Sequence, residues 1–147
     1  MTHGGCQCRA VRYDLKTDAT VIYACHCREC QRQSGSAFGL SMPVPTARLT
    51  LTGELGSWER ATGSSGRTRC SFCVVCGTRI HHVSLARPDW TTIKAGTLDD
   101  TSGLIPRVHI WTRSKQAWVM LDPTVPAFET QPDDLAIWRE ALVEAWS

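Results

Sequence analysis

The residues best suited to chemistry are eight cysteines in three tight clusters: Cys6-x-Cys8, Cys25-x-Cys27-x-x-Cys30 and Cys70-x-x-Cys73-x-x-Cys76. Thiolates one or three residues apart can converge on a single ion, whereas disulfides between neighbours at such spacing would be strained. The pattern therefore points to a soft divalent metal, and to zinc first, since thiolates suit zinc better than magnesium or calcium. How the thiols divide decides what the metal does. A four-thiolate zinc is coordinatively closed and structural, and a three-thiolate zinc keeps a position for water or substrate. Eight cysteines allow two closed sites, or one closed site, one open site and a spare thiol.

Cys73-x-x-Cys76-Gly77 reads as a zinc knuckle. Its tight turn aims backbone N–H groups at the thiolates, and the glycine permits a left-handed conformation. Cys6 and Cys8, preceded by Gly4-Gly5, supply two further ligands if the N-terminal strand lies beside the knuckle. Such a Cys₄ site would be worth roughly 10–16 kcal/mol, against the ~5–15 kcal/mol net stability of a whole domain. Cys25, Cys27 and Cys30 can cap one face of a second ion unaided, leaving its fourth position open. Zinc there would act as a Lewis acid, and an incoming thiol would bind as thiolate. Cys70 could close this second site, share the first or be a buried free thiol, and the last reading is favoured.

The elements that must position these clusters are mostly strands. Short runs rich in β-branched and aromatic residues, bounded by Gly, Pro, Asp or Ser, predict strands over 10–13, 20–25, 36–44, 49–52, 57–61, 67–72, 79–84, 90–95, 108–111 and 118–121. Thr62-Gly63-Ser64-Ser65-Gly66 predicts a hairpin loop leading back toward the third cluster. From Asp133 to Trp146 the spacing of Leu135, Trp138, Leu142 and Ala145 predicts an amphipathic C-terminal helix. The expected fold is mainly β with one short terminal helix.

At 147 residues and 16.3 kDa the chain is expected to form a single domain over 1–147. A hydrophobic content of 42%, a charged content of 20% and a net charge of +2 lie in the globular range, with no bias toward polyanions. Nucleic-acid binding is therefore not expected. Met1-Thr2-His3-Gly4-Gly5-Cys6 shows no basic segment leading into an apolar one, and no uncharged apolar run approaches the ~20 residues of a membrane span, so no membrane is expected and the chain is expected to be cytoplasmic. A reducing cytoplasm favours metal-binding or catalytic cysteines over a disulfide scaffold.

The clusters and their flanks resemble the glutathione-dependent formaldehyde-activating enzyme family, also called the centromere protein V family, of Mss4-like fold. The carriers are Gly4-Gly5-Cys6-Gln7-Cys8 with Val11-Arg12-Tyr13, Cys25-His26-Cys27-Arg28-Glu29-Cys30, Gly35-Ser36-Ala37-Phe38, Phe72-Cys73-Val74-Val75-Cys76-Gly77-Thr78 and His109-Ile110-Trp111. The resemblance implies two zinc ions per chain: a structural one on Cys6, Cys8, Cys73 and Cys76, and a catalytic one on Cys25, Cys27 and Cys30. This agrees with the division read from spacing. Arg9 stands where the family often has glycine, and Cys70 has no counterpart in the pattern.

The activity implied is that of a carbon–sulfur lyase, combining formaldehyde with glutathione as co-substrate into S-hydroxymethylglutathione, or acting on a related small thiol and aldehyde. Expected partners are thus small molecules, with an oligomer compatible. His26, Glu29 and His109 are the candidate proton relays, although alternation turns His26 away from Cys25 and Cys27 and makes it more a packing or orienting residue. Arg28 and Arg32 flank the three-cysteine cluster as carboxylate clamps, with surface solvation the plainer role for each. Ser34-Gly35-Ser36 offers backbone N–H groups to a ligand or forms a plain turn, and the turn is favoured. His81 and His82 are expected on opposite faces of a strand, neither on a metal. A non-catalytic zinc scaffold that binds a protein partner is the alternative function, by analogy with other Mss4-like folds.

Overall fold

A computed structural model of the chain describes residues 1–17, 21–63 and 66–132. Ten strands and one α-helix are formed there, in the order β1 (Thr2–Gly5), β2 (Arg12–Leu15), β3 (Ile22–Cys25), α1 (Arg28–Ser34), β4 (Gly39–Pro45), β5 (Leu49–Thr52), β6 (Leu55–Thr62), β7 (Gly66–Cys73), β8 (Arg79–Ser84), β9 (Trp90–Lys94) and β10 (Pro106–Ile110). The mainly β, Mss4-like expectation holds. The predicted C-terminal helix over 133–146 lies outside the described residues.

The backbone divides into two compact units, Met1–Asp18 with Met42–Gly103 and Ala19–Ser41 with Leu104–Ser147. In the first, β1, β2 and β5 make a three-stranded antiparallel sheet, and the strand order β4-β9-β8-β7-β6 makes a second layer. The predicted hairpin is present, with β6 and β7 pairing from Leu55↔Cys73 to Thr62↔Gly66. Val11, Tyr13, Leu15, Met42, Val44, Ile80 and Ile93 are buried in this unit. Each large apolar side chain removed from water contributes about 1.5–3 kcal/mol.

β1 was not legible in the sequence, because glycine is a poor strand former. A Cβ on Gly4 would lie 2.2 Å from the Tyr13 hydroxyl oxygen and 2.5 Å from the Thr97 carbonyl oxygen, so only glycine lets this strand sit where it does. β2 begins two residues later than expected. The chain first loops through Cys6–Val11, closed by Cys6 N–H to the Val11 carbonyl (3.0 Å) and by Arg9 N–H to the Cys6 carbonyl (3.1 Å).

In the second unit the strand order is β10-β3-β4, with β10 parallel to β3 so that Ile110 stands beside Cys25, and β3 antiparallel to β4 so that Cys25 stands opposite Gly39. Cys25, Val108 and Ile110 are its buried cluster, with Tyr23, Cys27, Cys30, Trp111 and Phe128 packed against it. α1 was missed because its run Arg-Glu-Cys-Gln-Arg-Gln-Ser has no apolar period. Its signals are at the ends, where Cys27 is the N-cap, Glu29 lies in the first turn and Gly35 closes the helix in the left-handed conformation at φ 60°.

The strand predicted over 118–121 does not form. Trp118 is 71% and Met120 88% exposed, and Val119 is held in a turn by its N–H to the Gln116 carbonyl (3.1 Å) and by the Lys115 ammonium on its own carbonyl (2.7 Å). With those groups used locally, no ladder can form.

Candidate metal centres

The first unit brings Cys6, Cys8, Cys73 and Cys76 together, with all four sulfurs within 4.8 Å of one another. Cys6 follows β1, Cys8 lies on the loop before β2, Cys73 ends β7 and Cys76 follows on the knuckle turn. That turn is closed by Gly77 N–H to the Cys73 carbonyl (2.9 Å), and Gly77 adopts the expected left-handed backbone at φ 76°. Thr78 stitches the two segments, its hydroxyl accepting from Gln7 N–H at 3.2 Å and lying 3.1 Å from the Cys76 sulfur.

Sulfur separations test whether a metal fits. Cys6 and Cys8 sulfurs are 3.5 Å apart, and Cys8 and Cys73 sulfurs 3.7 Å. A disulfide would need about 2.05 Å, and all eight cysteines are free thiols. A regular tetrahedron of Zn–S bonds about 2.3 Å long has sulfur–sulfur edges of about 3.8 Å, which these separations match. Backbone N–H groups of Val11 and Val75 point at the Cys6 and Cys73 sulfurs at 3.1 and 3.4 Å. The Thr78 hydroxyl and N–H draw Cys76 down to about 5. Cys8 is pushed up to about 12, where the lowering by the Ala10 N–H is outweighed by desolvation and by the neighbouring thiols. Four thiolates this close repel one another, and a divalent cation removes that repulsion.

The second unit brings Cys25, Cys27 and Cys30 together, also within 4.8 Å. Cys25 ends β3 and is buried, Cys27 caps α1, and Cys30 lies in its first turn. The Cys30 N–H donates to the Cys27 sulfur at 3.3 Å. Thiol donation from Cys25 and Cys30 holds Cys27 down to about 2, while the same contacts and burial drive Cys25 well above the ordinary thiol range. Cys27 is therefore the thiol of the pair that more readily gives up its proton, and a cation held by the trio would displace the thiol protons that remain.

Cys70 belongs to neither group. It is a buried thiol on β7, opposite Trp58 and His82, with its sulfur 3.9 Å from the Thr68 carbonyl oxygen. His81 and His82 fall on opposite faces of β8, opposite Ser71 and Cys70 respectively, and burial lowers both.

His26 is fully buried. Its Nε2 is 3.0 Å from the His109 Nδ1, and its ring packs on Phe38 with centroids 5.3 Å apart. Its N–H bonds the Ile110 carbonyl (3.0 Å), and its own carbonyl accepts from Gln31 Nε2 (2.8 Å). Burial first, then the charges of His109 and Lys115, lower it to about 4, so it is neutral near pH 7. Glu29 is occupied by Arg32 at 2.9 Å. Arg28 donates to the Gln31 amide oxygen at 2.6 Å. Ser34 uses its hydroxyl on the Cys30 carbonyl (2.7 Å), and Gly35 is the helix cap, so this segment is a helix end. Gln31 was not singled out from the sequence, since a buried glutamine carries no spacing signal. Its amide nitrogen also reaches the Ser114 carbonyl at 3.0 Å.

No helix among the described residues is long and apolar enough to cross a membrane. The fold is similar to a crystal structure of a Rhodobacter sphaeroides protein, with a TM-score of 0.54 and 18% identity over 86% of this chain and 98% of that one. At that identity the likeness speaks to the fold alone. The sequence matches the family described as glutathione-dependent formaldehyde-activating enzyme over residues 1–114. With its thiols gathered four and three as that family's pattern implies, the chain belongs to the glutathione-dependent formaldehyde-activating enzyme family.

Proposed function

We propose that the protein is a zinc enzyme of carbon–sulfur bond chemistry, joining glutathione reversibly to formaldehyde or a related small aldehyde. The observation that carries the reading is the unequal gathering of thiols, four in one group and three in the other. Cys6, Cys8, Cys73 and Cys76 would hold a structural zinc, and Cys25, Cys27 and Cys30 a catalytic one. When bound, the catalytic zinc supplies Lewis acidity and lowers the pKa of a thiol placed beside it.

The residues of the chain hold and orient. Cys25 is fixed by the β3 ladders, and Cys27 and Cys30 by the first turn of α1, so the sulfur face does not have to reorganise as substrate enters. In the forward reaction the thiol S–H bond breaks, a carbon–sulfur bond forms, and the carbonyl oxygen takes the proton. Of the three relay candidates, Glu29 is committed to Arg32 and His26 is buried and neutral. His109 is half-buried, with Nδ1 tied to His26, which leaves Nε2 as the atom to hold the travelling proton. Eight free thiols support a reducing, cytoplasmic setting.

Metal analysis with turnover tests the reading. Wild type should carry two zinc ions per chain and form S-hydroxymethylglutathione. Cys25→Ser or Cys27→Ser should lose one ion and at least about a hundredfold in rate while staying folded. Unfolding of both variants, with wild type inactive toward every thiol and aldehyde pair, would show that the second site is a structural scaffold.

A further inference from the structure

Trp111 is a bulky residue in the left-handed region, at φ 58° and ψ 37°, a conformation that side chains of its size rarely adopt. It stands one residue past Ile110, which pairs with Cys25, and it packs, as Cys27 and Cys30 do, against the buried cluster of Cys25, Val108 and Ile110. The backbone around it is pinned: Thr112 N–H to the Phe128 carbonyl (3.1 Å), Arg113 N–H to the Glu129 carbonyl (3.3 Å) and Ser114 N–H to the Trp111 carbonyl (3.0 Å). A strained conformation held this firmly, beside a reactive cluster, is characteristic of functional positions.

The ring carries a cation. The Arg113 guanidinium lies over it, 5.0 Å from the centroid, and is exposed. Four arginines pair with carboxylates, Arg32 with Glu29, Arg67 and Arg69 with Glu59, and Arg12 with Asp99, so the place of Arg113 on the Trp111 ring, and not the lack of a carboxylate, is what sets it apart. Among the described residues Arg113 has none, and Arg28, at the start of α1, donates only to the neutral Gln31 amide. Gln31 accepts from Arg28 and donates to the Ser114 carbonyl next to Arg113, so one hydrogen-bonded frame joins the segment that carries Arg113 to the start of α1, where Cys27 and Cys30 lie. A guanidinium stacked flat on an aromatic face keeps its donor edges free and has already lost the rotamer freedom that binding would cost.

We infer that Trp111 and Arg113 form a carboxylate-recognising wall of the three-thiol site, with Arg28 as its second cation, and that the site selects thiols bearing carboxylates over uncharged ones. This rests on the reading that the three-thiol site takes a thiol substrate. Arg113 is the binding residue and Trp111 a positioning residue that acts through it.

Calorimetric titration of the zinc-loaded full chain with glutathione, and with glutathione diethyl ester whose two carboxylates are masked, decides the matter. Wild type should bind glutathione at least about tenfold more tightly than the diester. Arg113→Ala, an exposed substitution that leaves the fold intact, should weaken glutathione about tenfold and leave the diester unchanged, with Arg113→Lys recovering part of the loss. Trp111→Gly should reproduce the Arg113→Ala pattern. Equal affinity of wild type for the two probes, or no effect of Arg113→Ala on glutathione, overturns the wall and leaves the proposed reaction standing. A wild type that binds neither probe removes the glutathione reading, and this inference with it.

Discussion

His26 Nε2 and His109 Nδ1 lie 3.0 Å apart, so two neutral imidazoles share one hydrogen bond, one of them on the residue between Cys25 and Cys27. His26 is the buried member, lowered from 6.5 to about 4 by burial and then by the nearby positive charges. A folded-state pKa below the unfolded value means that the native state resists protonation. The stability is therefore fully present above about 6.5 and is lost as pH falls from there toward 4. Urea unfolding in excess zinc should show wild type losing stability between pH 7 and 5, with His26→Phe giving a flatter acid limb. Identical limbs would mean that His26 is not the titrating group.

The four-thiol site ties Cys6 and Cys8 to Cys73 and Cys76 across more than sixty intervening residues. Zinc there should contribute on the order of 10 kcal/mol, comparable to the whole net stability of a domain. Prolonged chelation should abolish the cooperative thermal transition, and Cys73→Ser should be unfolded as isolated. A Cys73→Ser protein with a near-native melting transition would show that this site is not a structural one.

Arg9 occupies the left-handed region at φ 67°, where family members often have glycine. An arginine there carries backbone strain that glycine does not, although glycine also raises the entropy of the unfolded chain. Arg9→Gly should stabilise the protein by about 1 kcal/mol, read as a shift in denaturation midpoint at constant m-value. A loss of stability would mean that the arginine side chain compensates its own backbone.

Gln31 is buried, and its amide serves the His26 and Ser114 carbonyls, with Arg28 and Gln116 on its oxygen. Gln31→Leu keeps the volume but strands two carbonyls, at about 1–3 kcal/mol for each that water does not reach. We expect about 2–4 kcal/mol of destabilisation with zinc content unchanged. A loss below about 0.5 kcal/mol would mean that water replaces the amide.

Strands with strong β-branched and aromatic content were legible nearly to the residue. Leu49–Thr52 and Arg79–Ser84 form as expected, and β6 and β7 extend the predicted runs by one or two residues. Failures came where long-range packing overrode local preference. Gly4-Gly5 makes a strand because Tyr13 and Thr97 press against it, and Trp118–Leu121 makes none because its backbone groups are used within a turn. Helix α1 was invisible because its stability lies in caps at Cys27 and Gly35 and in the burial of Gln31, none of which leaves an apolar period.

The site divides in the same way. Ligand type, the grouping of the thiols and the left-handed glycine after the knuckle follow from residue spacing, because convergence of neighbouring thiolates on one ion is a local property of the chain. Which distant cysteines gather with which, that Cys70 joins neither group, and that Arg113 stacks on a Trp111 packed beside Cys25 were decided only by the tertiary structure. Contacts between residues tens of positions apart depend on register, and register is the outcome of burying many side chains at once.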